Sequence, residues 1–150
     1  MSFAEKIKLL NSNICFEIEN LSCGGCGIFC YLMKKKLDEL GIESKIIAFD
    51  YYPRSIKKAK SNIRNFLSNK PFNNQMGASH FVVSAEGILF DGYHTYKNTK
   101  EVGFGEAVDF YTIEELKIAI NHGEWNTTYD RIQNIKLIEC INLAFSETNS

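Results

Sequence analysis

The chain has 150 residues, 45% of them hydrophobic, enough for one substantial core but thin material for two. Its 17 Lys plus Arg against 18 Asp plus Glu give a formal charge of −1, so no long-range attraction to nucleic acid is built into the balance. An odd number of cysteines, five, with no apolar leader after Met1 and no run long enough to cross a bilayer, argues against a secreted disulfide scaffold and against a membrane partner.

These bounds predict a single α+β domain over residues 1–150, fraying after Phe145, in a reducing cytoplasm. The chain opens with capping-box spacing at Ser2 and Glu5, and Phe3, Ile7 and Leu10 share one side of a short helix. Residues 11 to 21 break that pattern. From Cys26 to Leu40, Cys26, Phe29, Cys30, Met33, Leu37 and Leu40 recur at steps of three and four, a buried helical stripe that Gly41 is placed to stop. Gly24 and Gly25 let the incoming chain turn sharply and leave the helix entrance uncovered.

Ser44 to Phe49 reads as a strand. Pro53 then opens a helix with Ile56, Ala59, Ile63 and Leu67 on its apolar side. Arg54, Lys57, Lys58, Lys60 and Arg64 along it read as a solvated face, because no aromatic-rich stripe or recognition motif accompanies them; no specific nucleic-acid partner is expected. Residues 68 to 77 are polar and form a loop. His80 to Ser84 and Ile88 to Asp91, separated by Ala85-Glu86-Gly87, predict an antiparallel hairpin that brings His80 near the level of Asp91. Thr112 and Glu115 carry capping-box spacing for a helix ending at Gly123, and a last helix within 129 to 144 carries Ile132, Ile135, Ile138 and Ile141, widened by Leu137 and Ala144.

The chemistry centres on Cys26. A thiol with an ordinary pKa of about 8.5 is a poor nucleophile at neutral pH, but the first turn of a helix offers unpaired NH groups that stabilise a thiolate. His80 is the leading base and Asp91 the acid that orients it; His94, two residues past Gly92, is the alternative base if the hairpin ends earlier. The backbone NH of Cys26 and the side chain of Asn20 are the candidate oxyanion donors. Cys23 and Cys26 have CxxC spacing, with Cys30 close behind, which raises redox or zinc binding, yet no second CxxC or close His pair completes a familiar site. Cys15 and Cys140 read as small buried hydrophobes, His122 as a helix-end partner, and Trp125 as a packing or rim residue.

The run Gly25-Cys26-Gly27-Ile28-Phe29-Cys30, continued through Leu37, Leu40 and Gly41, resembles the nucleophile helix of transglutaminase-like proteins in the papain-like superfamily. The segment from His80 through Gly87 to Asp91 resembles that superfamily's His strand turning into its Asp strand. The resemblance implies a Cys-His-Asp triad at Cys26, His80 and Asp91, with the helix packed on an antiparallel sheet. It also implies a peptidase, amidase or deamidase acting on a protein or peptide amide without cofactor or metal. Cys30 stands where the family usually has another small residue, and Asn20 where papain-like enzymes have Gln. The competing expectations are a noncatalytic interaction module, with Cys26 merely continuing the buried stripe, and a metal-binding protein using the cysteine cluster.

Overall fold

The computed structural model describes residues 1–22, 24–123 and 128–146. The expectations for Cys23 and Trp125 therefore fall outside the described residues. The architecture is α+β, in the order α1 (Phe3–Glu17), α2 (Cys26–Glu39), β1 (Ser44–Asp50), α3 (Pro53–Leu67), β2 (His80–Ala85), β3 (Ile88–Phe90), β4 (Thr95–Tyr96), β5 (Ala107–Tyr111), α4 (Ile113–His122) and α5 (Asn134–Ala144). The strands form one antiparallel sheet in the order β4-β3-β2-β1-β5.

Period-two alternation sends the two faces of that sheet to different partners. Ile46, Ala48, Phe81, Val83 and Phe90 join the main core, to which all five helices contribute buried side chains. Ile47, Phe49 and Val82 face the other way and are covered by Val102 and Phe104 from the chain between β4 and β5. Phe29 of α2 meets Phe90 edge-on at 6.2 Å, which fixes that helix against the hairpin.

Local signals account for the ends of α2. Cys26 is its first residue and Gly25 its N-cap, with no side chain capping the first turn. At the other end Gly41, at φ 72°, lets Ile42 NH reach Leu37 O and Gly41 NH reach Asp38 O, a paired closure that an L residue would strain. The β2–β3 hairpin closes through Glu86 and Gly87, both at positive φ (52° and 76°), between the paired residues Ala85 and Ile88. Two left-handed residues make the tight turn whose twist matches the strands, and so set the register. Capping boxes form at Ser2 and Glu5 and at Thr112 and Glu115.

Four readings need correction. Helix α1 does not stop at residue 10 but runs to Glu17, because Ile14 continues the Ile7, Leu10 stripe and Asn11, though polar, is buried and hydrogen-bonded. Cys15 is exposed, since it lies one residue, about 100°, past that stripe. On α5 the buried residues are Leu137, Cys140, Ile141 and Ala144, at steps of three, one and three, while Ile132, Ile135 and Ile138 are 81%, 69% and 42% exposed. Strict steps of three fall about 60° short of a turn each time, so such a row winds off the core face. Leu67 likewise ends α3 exposed.

The two faces of α5 should separate in a denaturation series. Leu137→Ala is expected to lower stability by about 2–5 kcal/mol through loss of buried contacts, and Ile135→Ala to change it by less than about 0.5 kcal/mol. Equal losses would mean that the helix is rotated.

Candidate active site

Cys26, His80 and Asp91 come together at one end of the β2–β3 hairpin, opposite its turn. His80 is the first residue of β2 and Asp91 the first beyond β3; the register continues to set Asp91 opposite Val82, two residues from His80 and on the same face, within diagonal side-chain reach. His80 pairs with Phe49 across the β1–β2 ladder, and its ring lies flat on that of Phe104, with centroids 4.1 Å apart at 17°. Nε2 of His80 is 2.8 Å from Oδ2 of Asp91. Cys26 lines the same cleft as His80 and Asp91, close enough for its sulfur to help raise the His80 pKa, and with Nε2 committed to Asp91 the ring nitrogen left to face it is Nδ1.

Asp91 is held from every side. Its Oδ1 accepts from the NH groups of Tyr93 (2.9 Å) and His94 (2.8 Å), and its Oδ2 accepts from the Tyr96 hydroxyl as well as from His80. Its own NH donates to His94 O, and its carbonyl accepts from Nδ2 of Asn11 on α1 at 2.8 Å. The aspartate side chain thus closes a turn by bonding NH groups two and three residues on, then offers its second oxygen to the histidine. Burial opposes ionisation, but these hydrogen bonds, led by His80 and Tyr96, outweigh it and hold the carboxyl below its ordinary value.

His80 follows the same logic with the opposite sign. Burial disfavours the charged ring, yet the hydrogen bonds to Asp91 and Cys26, with the charges of both, lift its pKa from 6.5 to about 9. The ring is therefore an imidazolium at neutral pH, with Nε2–H donating to Asp91. Tyr96 is pushed upward by burial and by Asp91, so it stays a neutral donor. Burial also raises the Cys30 thiol, helped by Cys26 and Asp91, and Cys30 is fully buried in the core. No group of three or more His, Cys, Asp or Glu suited to a metal ion occurs among the described residues.

The loop before α2 is locked to the turn after β3 by one side chain. Leu21 is 2% exposed, and a Cβ at Gly25 would sit 2.7 Å from its Cδ1, a Cβ at Gly92 only 2.2 Å from its Cδ2. Two glycines thus open the slot that Leu21 fills. Leu21 NH also donates to the Tyr93 hydroxyl at 2.9 Å. The result is a cleft of about 160 Å³ over Cys26, His80 and Asp91, with Ser22, Tyr93, His94, Tyr96 and Phe104 among its walls.

Asn20 does not line this cleft: it is exposed, at φ 59°, a turn residue of the kind Asn tolerates. Ser22, two residues on, does line it. His94 also lines it, while its main chain rather than its ring bonds Asp91. His122 lies against Phe66 with ring centroids 4.4 Å apart. Sequence reasoning missed Tyr96, Asn11, Leu21 and Phe104. Asn11 alone left a trace, as a polar residue beside the apolar stripe Ile7, Leu10 and Ile14; the others are ordinary apolar or aromatic residues until the fold assembles them.

Compared with family models, curated proteins and solved structures, the chain matches none. No helix among the described residues is long and apolar enough to cross a membrane.

The hydrogen-bond set around Asp91 makes a spectroscopic prediction. In spectra of ring-labelled histidine, His80 should titrate near pH 9, and Asp91→Asn should move its midpoint downward by removing the partner anion. A His80 ring already neutral at pH 7 in the unmodified protein would contradict the assignment.

Proposed function

We propose that the protein is a cysteine-dependent acyl-transfer enzyme, a peptidase, amidase or deamidase acting on a protein or peptide amide, built on a transglutaminase-like version of the papain-like core. The observation that carries this reading is the buried His80, bonded to the Asp91 carboxylate and sharing one cleft with the thiol of a helix-opening cysteine.

The chemistry follows from those contacts. The pair starts with its proton on His80: the imidazolium, which Asp91 stabilises, presents Nδ1–H to a Cys26 thiolate. The thiolate attacks the carbonyl carbon of the amide, and the oxygen takes up negative charge within reach of the Cys26 NH, which no side chain caps. Imidazolium then protonates the departing amine as the tetrahedral intermediate collapses, leaving a thioester on Cys26. Water, deprotonated by the neutral imidazole, releases the acid and regenerates the thiol; an amine in its place would yield transfer. Phe104, flat against His80, screens the His80–Asp91 bond from water and so preserves its strength.

The competing reading, a noncatalytic interaction module, draws on exposed apolar side chains such as Phe16, Ile132 and Ile135. It gives no account of why a buried carboxylate, an imidazolium and a thiol converge in one cleft, since burying charges costs stability unless they serve each other.

Two measurements test the reading. An acyl-donor probe such as an activated ester should form a thioester on Cys26 in reduced protein, an adduct that Cys26→Ala abolishes and Cys30→Ala leaves in place; labelling that survives Cys26→Ala would sink the nucleophile. The pH profile has a definite sign. Because His80 loses its proton near pH 9, amide turnover should fall as pH rises through that value, when the leaving amine can no longer be protonated, whereas alkylation of Cys26 by iodoacetamide, which needs only the thiolate, should not fall.

A further inference from the structure

Beside the catalytic cleft lies a second cavity, of about 690 Å³, in the roughly 300–1,000 Å³ range of ligand clefts. It runs between α1 and the β3–β4 hairpin. Lys8 and Asn11, one helical turn apart, line it from α1, and Ile88 and Tyr96 line it from the hairpin. Tyr93, His94 and Tyr96 line both this groove and the cleft over Cys26, so the two spaces share a wall.

Its charge is net positive, two lysines against one glutamate. Lys8 and Lys97 are exposed, and among the described residues neither ammonium has an ion-pair partner. Glu101 is the only carboxylate lining the groove, and its Oε2 is taken by the main-chain NH of Lys97 at 2.8 Å. β4 ends the sheet, so its outer edge has no partner strand among the described residues.

From these features we propose that the groove binds an extended, acidic peptide segment of the substrate, seated on Lys8 and Lys97. The proposal rests on the acyl-transfer reading for the segment's being part of a substrate. Lys8 and Lys97 attract its carboxylates, the apolar and aromatic surfaces of Ile88, Tyr93 and Tyr96 carry its side chains, and the free edge of β4 offers main-chain groups to an extended strand. The wall shared with the cleft delivers the neighbouring amide to Cys26. A single small anion would use the two lysines but neither the edge strand nor the aromatic floor.

Fluorescence anisotropy with Cys26→Ala protein isolates binding from chemistry. The probes are fluorescein-labelled octapeptides of one sequence carrying three Glu, three Gln or three Lys. The Glu peptide is expected to bind most tightly and to weaken as salt is added. Two exposed ion pairs predict a loss of roughly five- to tenfold in its affinity in the Lys8→Gln/Lys97→Gln variant. Lys57→Gln/Lys58→Gln, the same charge change on an exposed part of α3, should leave that affinity unaltered. Equal binding of the three peptides, a preference that survives the Lys8/Lys97 substitutions, or retention of inorganic phosphate but not of the Glu peptide would overturn the proposal. None of those results bears on acylation of Cys26. Charge-selective binding by a protein whose Cys26 never acylates would overturn the enzyme reading alone.

Discussion

A buried carboxylate is tolerated only when other groups replace the water it has lost, and the Asp91 side chain is satisfied by four donors: His80, Tyr96 and the NH groups of Tyr93 and His94. Those donors come from β2, β4 and the turn between β3 and β4, while Asn11 of α1 holds the Asp91 carbonyl. One residue thereby joins the hairpin, the edge strand and the first helix at the mouth of α2. Removing the charge would strand several donors, and removing His80 would leave an anion without its countercharge, so the site and its surroundings stand or fall as a unit.

The same interaction is kept from the solvent on two sides. His80 sits under Phe104, in a segment whose flanking glycines, Gly103 and Gly105, both take positive φ; a Cβ at Gly105 would meet Asp50 O at 2.3 Å. The chain can therefore pass close against the end of β1 and lay an aromatic ring on the imidazole. On the opposite side, Leu21 wedges between Gly25 and Gly92 and holds the approach to α2 against the Asp91 turn. Glycine performs the same task in both places, admitting a close approach where a side chain would force the walls apart.

Much of the local structure was legible because it is written in short-range chemistry. Ser2 with Glu5 and Thr112 with Glu115 marked helix starts, Gly41 a helix end, and Glu86-Gly87 a tight turn between two apolar runs. The hairpin joining His80 to Asp91 followed from that turn, since a two-residue loop leaves little freedom in register, but their meeting spans a two-residue diagonal that the turn by itself does not close. The failures have a common cause. Cys15, Ile132 and Ile135 are apolar or weakly polar residues whose sequence does not say which side of the helix faces the core, and Asn20 lies in a connection whose path depends on what it packs against. β5, Ala-Val-Asp-Phe-Tyr, went unread although Asp109 is its one charged residue; its larger apolar side chains Val108 and Phe110 lie on the exposed side.

By itself, then, the sequence determined the elements whose signals are local: the helix that opens at Cys26, the hairpin carrying His80 and Asp91, and the mixed α+β character. Tertiary structure alone decided that Tyr96 and Asn11 brace the acid, that Phe104 covers the base, that Leu21 rather than Asn20 shapes the cleft, and that a lysine-lined groove adjoins it. Each of those outcomes depends on residues distant in the chain meeting at one point, and a meeting of that kind is set by packing against the whole core rather than by any periodicity or cap a sequence can display.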